Sequence, residues 1–289
     1  MNSLERDSDD SVTYVYDQGG PPVSDKTNDI PLGSTGSFDD DADTGYLVSG
    51  SFEITDKWSI NAAIMESEMS SSDSFTDPNS RLDVFRYIGT TPWTESFDAA
   101  DRVEASYDSE LSGVDLNAVY RFSDSVDFMV GVGQMDMDEK FKIYSVDSAS
   151  AIRPDGGTYE IRTENDMFGP HLGVAWNGMF SEKWGGYVVG KVGWYENDSE
   201  QRQRVDDNDT RVNGESDSGT SMVTDIRLGL NYHFSIQVAV NAGYQLIQIS
   251  DVALAESQFY DSVPPGSNDI DSSGEIDWDG FNLGLKISF

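Results

Sequence analysis

Cysteine is absent from the 289 residues, so neither disulfides nor thiolate chemistry is available to this chain. Histidine occurs only twice, which leaves few imidazoles for acid–base catalysis or metal ligation. Basic residues are scarce: 18 Lys and Arg stand against 53 Asp and Glu, a formal charge of −35. That balance makes nucleic-acid phosphates poor partners. It favours metal cations and a soluble surface instead. No run of eighteen apolar residues exists, so no helix is expected to cross a membrane. The opening MNSLERDSDD lacks the apolar core of a secretory signal; either a signal was removed ahead of residue 1 or export takes another route. Hydrophobic residues make up 37%, low enough to fit disorder, yet aromatics reach 11%, which disordered chains lack.

What is present is alternation. From Thr44 onward apolar residues recur at every second position, and helical spacing is rare. Met222, Ile226, Leu228, Leu230, Tyr232 and Phe234 share one face; Asp225, Arg227, Asn231 and His233 share the other. Similar runs begin at Tyr46, Trp58, Val114, Phe128, Phe168, Trp184 and Ile236, and a last one spans Phe281 to Phe289. The stretches near 103–121 and 158–180 are long and change parity partway, as does the run ending at Ile249; a β-bulge would account for such a slip.

Connections alternate in length. Tight turns lie at Thr55–Lys57, Ser123–Ser125, Ser181–Lys183 and around His233–Ser235, separated by long polar segments at about 69–102, 145–158, 197–218 and 250–275. Trp58, Phe122, Phe180, Trp184 and Phe234 flank the tight turns, as an interfacial girdle would. A soluble sandwich would have to bury Asp115, Arg121, Asp127, Lys191, Asp225 and Arg227, whereas a barrel with a wet lumen holds them at little cost. The pattern predicts an all-β fold: a transmembrane antiparallel up-and-down β-barrel with short periplasmic turns and long acidic extracellular loops. The alternating runs give nine strands. An even number is needed, so about ten are expected, with Ser11–Asp17 as the candidate first strand and Gln18–Asp43 as the first loop. Leu82–Ile88 is a candidate short strand or helix within its loop. Residues 1–43 then form an acidic N-terminal segment and residues 44–289 the barrel.

The segments DTGYLVSGSFEITDKWSINAAIMESEM, ASYDSELSGVDLNAVYRFSDSVDFMVGVG, FGPHLGVAWNGMFSEKWGGYVVGKVGWYE, IRLGLNYHFSIQVAVNAGYQLIQISD and WDGFNLGLKISF resemble bacterial outer-membrane barrels of the Legionella major outer-membrane protein type. GPHLG and the final WDG…LGL…F are the most specific pieces. The resemblance implies a porin-like, pore-forming role in the outer membrane of a Gram-negative bacterium, and brings no catalytic residues. The alternating Phe281, Leu283, Leu285, Ile287 and Phe289 resemble the terminal signal read by barrel-assembly machinery.

Three constellations could carry chemistry. His171 has lumen-facing parity and His233 lies beside a tight turn; neither has a Ser or Asp neighbour in a recognisable motif, so an enzyme is not expected. In NDIDSSGEIDWDG, Asp269, Asp271, Ser273 and Asp277 stand where a calcium loop places oxygen ligands, but Gly280 occupies the position of the bidentate acid. Asp39–Gly45 and Asp206–Thr210 are further acidic clusters, which would be solvated or bridged by divalent ions to lipopolysaccharide. The lumen is the third. Glu53, Asp115, Arg121, Asp127, His171, Lys191, Asp225 and Arg227 form the inward set, of both signs. They could pair and plug the barrel or line a path for small solutes or cations. The expectation is a porin-like passive pore that needs no cofactor. The alternative is a structural or surface-interaction barrel whose loops bind calcium, lipopolysaccharide or a protein partner, including a second copy of the chain.

Overall fold

The computed structural model describes residues 2–8, 12–17, 30–38, 43–77, 82–84, 97, 100–146, 156–206, 210–235, 237–259 and 270–288. Along these run strands β1 (Asn2–Ser8), β2 (Thr13–Asp17), β3 (Ile30–Ser34), β4 (Asp43–Glu53), β5 (Trp58–Thr76), β6 (Leu82–Asp83) and β7 (Arg102–Arg121). The second half carries β8 (Val126–Val146), β9 (Gly157–Met179), β10 (Trp184–Asp206), β11 (Thr210–His233), β12 (Val238–Val252) and β13 (Gly274–Ile287). Among them β4, β5 and β7 to β13 each pair antiparallel with the next, and β1 lies between β13 and β4, pairing with both, so the sheet returns on itself as a barrel. Among the described residues no helix is long and apolar enough to cross a membrane.

The closing strand is therefore Asn2–Ser8 and not Ser11–Asp17. Thr13–Asp17 joins β3 and β6 in a separate three-stranded sheet. The reason is legible afterwards: Tyr14, Val15 and Tyr16 are buried one after another, whereas a lipid-facing strand hides only alternate residues. Of the Leu82–Ile88 candidate, Leu82–Asp83 is a two-residue strand, and 85–88 lie outside the described residues.

Four hairpin turns close one end, all by one device. The hydroxyls of Thr55, Ser123, Ser181 and Ser235 each accept backbone N–H groups from the residues two and three positions on. Such side-chain caps replace ladder bonds that a tight turn cannot make.

The walls have two zones. Near the turn end the outward residues are apolar and exposed, among them Ile60, Val114, Val130, Leu172, Val188 and Leu228. Trp184 and Trp194 edge this band on β10. Ten residues of strand span about 33 Å, or roughly 25 Å of height at a tilt near 40°, the height of a barrel's apolar belt. Beyond it the outward positions turn acidic, with Glu66, Glu68, Asp136, Asp138, Glu164 and Glu200, and the inward ones turn apolar. Met69, Leu111, Met137, Phe141, Ile161 and Trp278 are buried there.

This exchange overturns the bulge expectation for the long strands. The registers of β7, β8, β9 and β10 run without a shift. The apparent slip in parity is the point where the apolar residues change face while the backbone keeps its alternation. On β12 the same happens at Ile247 and Ile249, both buried. A true register shift comes only after Ser250, beside Asp251 at φ 60.

Candidate functional site

The lumen is closed at two levels. The lower level is a charge-balanced quartet from β7, β10 and β11. Lys191 Nζ contacts Asp115 Oδ2 and lies 3.1 Å from Asp225 Oδ2. Arg227 donates to both Asp225 oxygens, Nε at 3.0 Å and Nη2 at 2.6 Å. Gln245 Nε2 donates to Asp225 Oδ1 at 3.2 Å. Two cations and two anions thus neutralise one another in a site where Asp225 is 6% exposed. Such pairing is the condition for holding charges out of bulk water.

His171 sits directly beside the quartet. Its Nε2 lies 2.6 Å from Asn117 Oδ1 and its Nδ1 3.2 Å from the Tyr195 hydroxyl. An amide oxygen can only accept, so Nε2 carries a proton and donates to Asn117, while Nδ1 pairs with the Tyr195 hydroxyl. Gly131 makes room for this ring: a Cβ there would meet His171 Nε2 at 2.6 Å and Leu116 O at 2.5 Å. The cavity left among Asp115, His171, Lys191, Tyr195 and Arg227 measures ≈ 30 Å³, room for roughly one or two waters. That is no channel.

The upper level combines apolar side chains with buried polar clamps and is completed by segments between the strands. After Asp251 the chain turns inward. Asn165 clamps Ala253 from both sides, its Nδ2 donating to the Ala253 carbonyl and its Oδ1 accepting the Ala253 N–H, each at 2.9 Å. Glu139 accepts from the Ala255 N–H at 2.9 Å and the Tyr107 hydroxyl at 2.8 Å. Gln203 donates to the Gln258 carbonyl at 3.0 Å. Phe259 then packs on Phe141 and Tyr159, while Tyr14 and Phe38 from the N-terminal segment pack on Phe141 from another side.

The remaining inward candidates stand apart. Glu53 and Arg121 pair at 3.0 Å at the turn end, both well exposed. Asp127 is opposite Arg121 in the ladder. So the structure brings together Asp115, His171, Lys191, Asp225 and Arg227, and separates Glu53, Arg121 and Asp127 from them. Sequence reading missed Asn117, Tyr195 and Gln245, although all share lumen-facing parity with residues that it named. It also missed Asn165 and Glu139, whose partners lie 88 and 116 positions away, where no local pattern reaches.

The calcium-loop reading does not fit the backbone. Gly274, which should make the sharp turn, starts β13, and Asp277 is a regular strand residue opposite Gln248 and Asp7. An extended chain from Gly274 cannot wrap Asp277 back onto the ion that Asp271 would hold. Asp271 instead caps Ser273, whose N–H and hydroxyl lie 3.0 and 2.7 Å from its Oδ1. Asp269 lies outside the described residues, as do 39–42 and 207–209 of the other acidic clusters, and Phe289 of the terminal alternation. Phe281, Leu283, Leu285 and Ile287 are outward and exposed. Glu66, Glu68 and Glu110 bring carboxylate oxygens within 4.8 Å of one another on the outer wall; exposed acids occur at such spacing without a cation.

Among solved structures the chain is similar in outline to several outer-membrane proteins. The outer membrane protease OmpT from Escherichia coli matches at 10% identity and TM-score 0.48, covering 100% of this chain and 96% of that one. The toluene transporter TbuX from Ralstonia pickettii matches at 10% identity and TM-score 0.37, over 99% and 73%. The ferric yersiniabactin uptake receptor FyuA from Yersinia pestis matches at 12% and 0.40, over 85% and 39%. No curated protein matches the chain in sequence. Residues 96–273 match the family described as "Putative beta barrel porin-7 (BBP7)". That stretch holds both closures of the lumen and most of the apolar band, and it is well over half of the chain, which is a bacterial outer-membrane β-barrel belonging to this family.

Proposed function

We propose that this chain is a passive, non-enzymatic ten-stranded barrel, with its tight turns in the periplasm and its loop end outside the cell. Its lumen rests closed, and its working surface is the wall that stands beyond the membrane. The observation that carries this reading is the double closure: the neutral Asp115–Lys191–Asp225–Arg227 quartet below and the docked Ala253–Phe259 segment above. The absence of any need for a cofactor, and a kinship with the Legionella major outer-membrane protein type, belong to the same proposal; the kinship rests on the quoted segments.

A conducting, porin-like state is the second reading, favoured by membership of a porin family. It requires both closures to give way, because each lies across the path through the barrel. Planar-bilayer recording of the purified chain separates the two. The closed barrel gives no steady current; steady cation-biased channels in the unmodified protein would overturn it and establish the pore.

A further inference from the structure

We propose that the outer wall of β8, β9 and β10 carries a binding site for the acidic saccharide of an outer-leaflet glycolipid, built on Lys140, Arg162 and Arg202 with Lys142 and Arg204 beside them. The proposal rests on the loop end facing outward, as above, but not on whether the lumen conducts.

The argument begins with an improbable placement. The chain has 18 basic residues against 53 acidic ones, and five of the 18 meet on neighbouring rungs of three strands. Lys140 stands opposite Arg162, and Arg162 stands opposite Arg202. Cross-strand neighbours have their Cβ atoms about 5 Å apart, and like charges directly opposite destabilise a sheet. Acids are abundant enough to alternate with every cation along this row, yet the row holds three cations in succession. The next row toward the membrane holds Asp138, Glu164 and Glu200, again opposite one another. In the next row outward Glu160 stands between Lys142 and Arg204, so the like-charge segregation is confined to these two rows; such rows serve fold stability poorly and suit a ligand that is itself charged.

Internal pairing leaves the row partly unsatisfied. Lys140 reaches Asp108 at 3.2 Å, Arg162 reaches Glu160 at 2.7 Å and Arg204 reaches Asp206 at 3.5 Å. Arg202 has no ion-pair partner among the described residues. On its far side Gly214, which has no side chain, stands opposite it on β11. Arg162, Arg202 and Arg204 line a furrow of ≈ 360 Å³ with Glu160, Glu164 and Glu200, within the range of small-ligand sites, about 300–1,000 Å³. Guanidinium forks bind carboxylate and phosphate oxygens in pairs. Glu160, Glu164 and Glu200 at the rim suit sugar hydroxyls, which can donate to them.

Height identifies the source of the anion. Arg162 lies six residues along β9 from Phe168, the aromatic at the edge of the apolar band. That is about 20 Å of strand, or about 15 Å above the hydrocarbon. A membrane glycolipid presents its sugars at that level, past its lipid-anchored phosphates. A free anion must also approach against a charge of −35, whereas a lipid-anchored one is held beside the wall at high effective concentration.

The test uses the full chain folded in detergent and native mass spectrometry. The probes are lipopolysaccharide truncated to lipid A plus acidic inner-core sugars, lipid A alone, and inorganic phosphate. The unmodified chain is expected to retain the core-bearing form at least about tenfold better than lipid A alone, and Arg162→Gln/Arg202→Gln to lose that preference, the scale of one charge-assisted hydrogen bond. Equal retention of the two lipids by the unmodified chain would overturn the proposal, as would an unchanged preference in the double variant. Full competition by millimolar phosphate would also overturn it and leave a free-anion site only. Heat-dependent gel mobility checks folding; should the double variant not fold, Arg202→Gln, exposed and without an internal ion pair, takes its place with the same readout. Bilayer recording examines the lumen and this experiment the wall, so the two readings fail separately.

Discussion

Asp225 is where the lower closure converges: Lys191, Arg227 and Gln245 all donate to it. Removing it strands Arg227 in a nearly closed space and leaves Lys191 with Asp115 alone. Asp225→Ala is expected to lower barrel stability by about 3 kcal/mol or more, the cost of leaving buried charges uncompensated, read as a lower urea midpoint. An unchanged midpoint would mean that water already neutralises the quartet. The residue scale also shows what sequence could and could not supply. Period-two parity assigns Asp115, His171, Lys191, Asp225 and Arg227 to one side of the wall. It cannot give their heights, which depend on how strands stagger, and so Glu53 and Arg121 were grouped with a quartet that they do not touch.

At the scale of elements, each long strand carries two environments on one unbroken backbone. Val114 and Leu116 face lipid on β7, while Val103, Tyr107 and Leu111 on the same strand face inward. Alternation alone marks both halves as strand, so the strands themselves were legible. The exchange of faces reads in one dimension as a slip, because sequence shows which residues are apolar and not which side is wet. The inward segments were illegible for another reason: Tyr14, Phe38 and Phe259 come from stretches too polar on average to look like core. Phe141 joins them, with ring centroids of Tyr14 at 5.4 Å and Phe259 at 5.9 Å. Phe141→Ala should therefore cost about 3–5 kcal/mol and open Thr13–Asp17 and Ile30–Ser34 to limited proteolysis. Cleavage no faster than in the unmodified chain would argue against the shared packing.

For the molecule as a whole, the outer acids act together. Asp138 has its carboxyl pushed above the usual range by partial burial first and then by Asp136. Glu110 is raised by partial burial and then by Glu68, Asp138 and Glu66. Both lie on the part of the wall beyond the apolar band. A carboxyl raised in the folded state favours folding below its unfolded pKa, and that contribution is lost as pH rises through the folded value. Above the folded value these groups are ionised and repel. Asp138→Asn is therefore expected to raise the urea midpoint near pH 7, with the gain shrinking as pH falls through the raised carboxyl value. A gain independent of pH would point to packing and not to charge.

The two zones of the wall also fix a waterline. Sliding the barrel inward by a few rungs would carry Asp166 and Glu196, and then Asp136 and Asp198, into hydrocarbon, and each charge costs more as it sinks. Sliding it outward would lift the Trp58 and Trp184 edge out of the interface where such rings settle. From Phe168 to Gly157, β9 rises about 36 Å along the strand, or about 28 Å in height. The barrel thus floats with constant freeboard, and whatever its rim carries is presented at one fixed distance from the hydrocarbon.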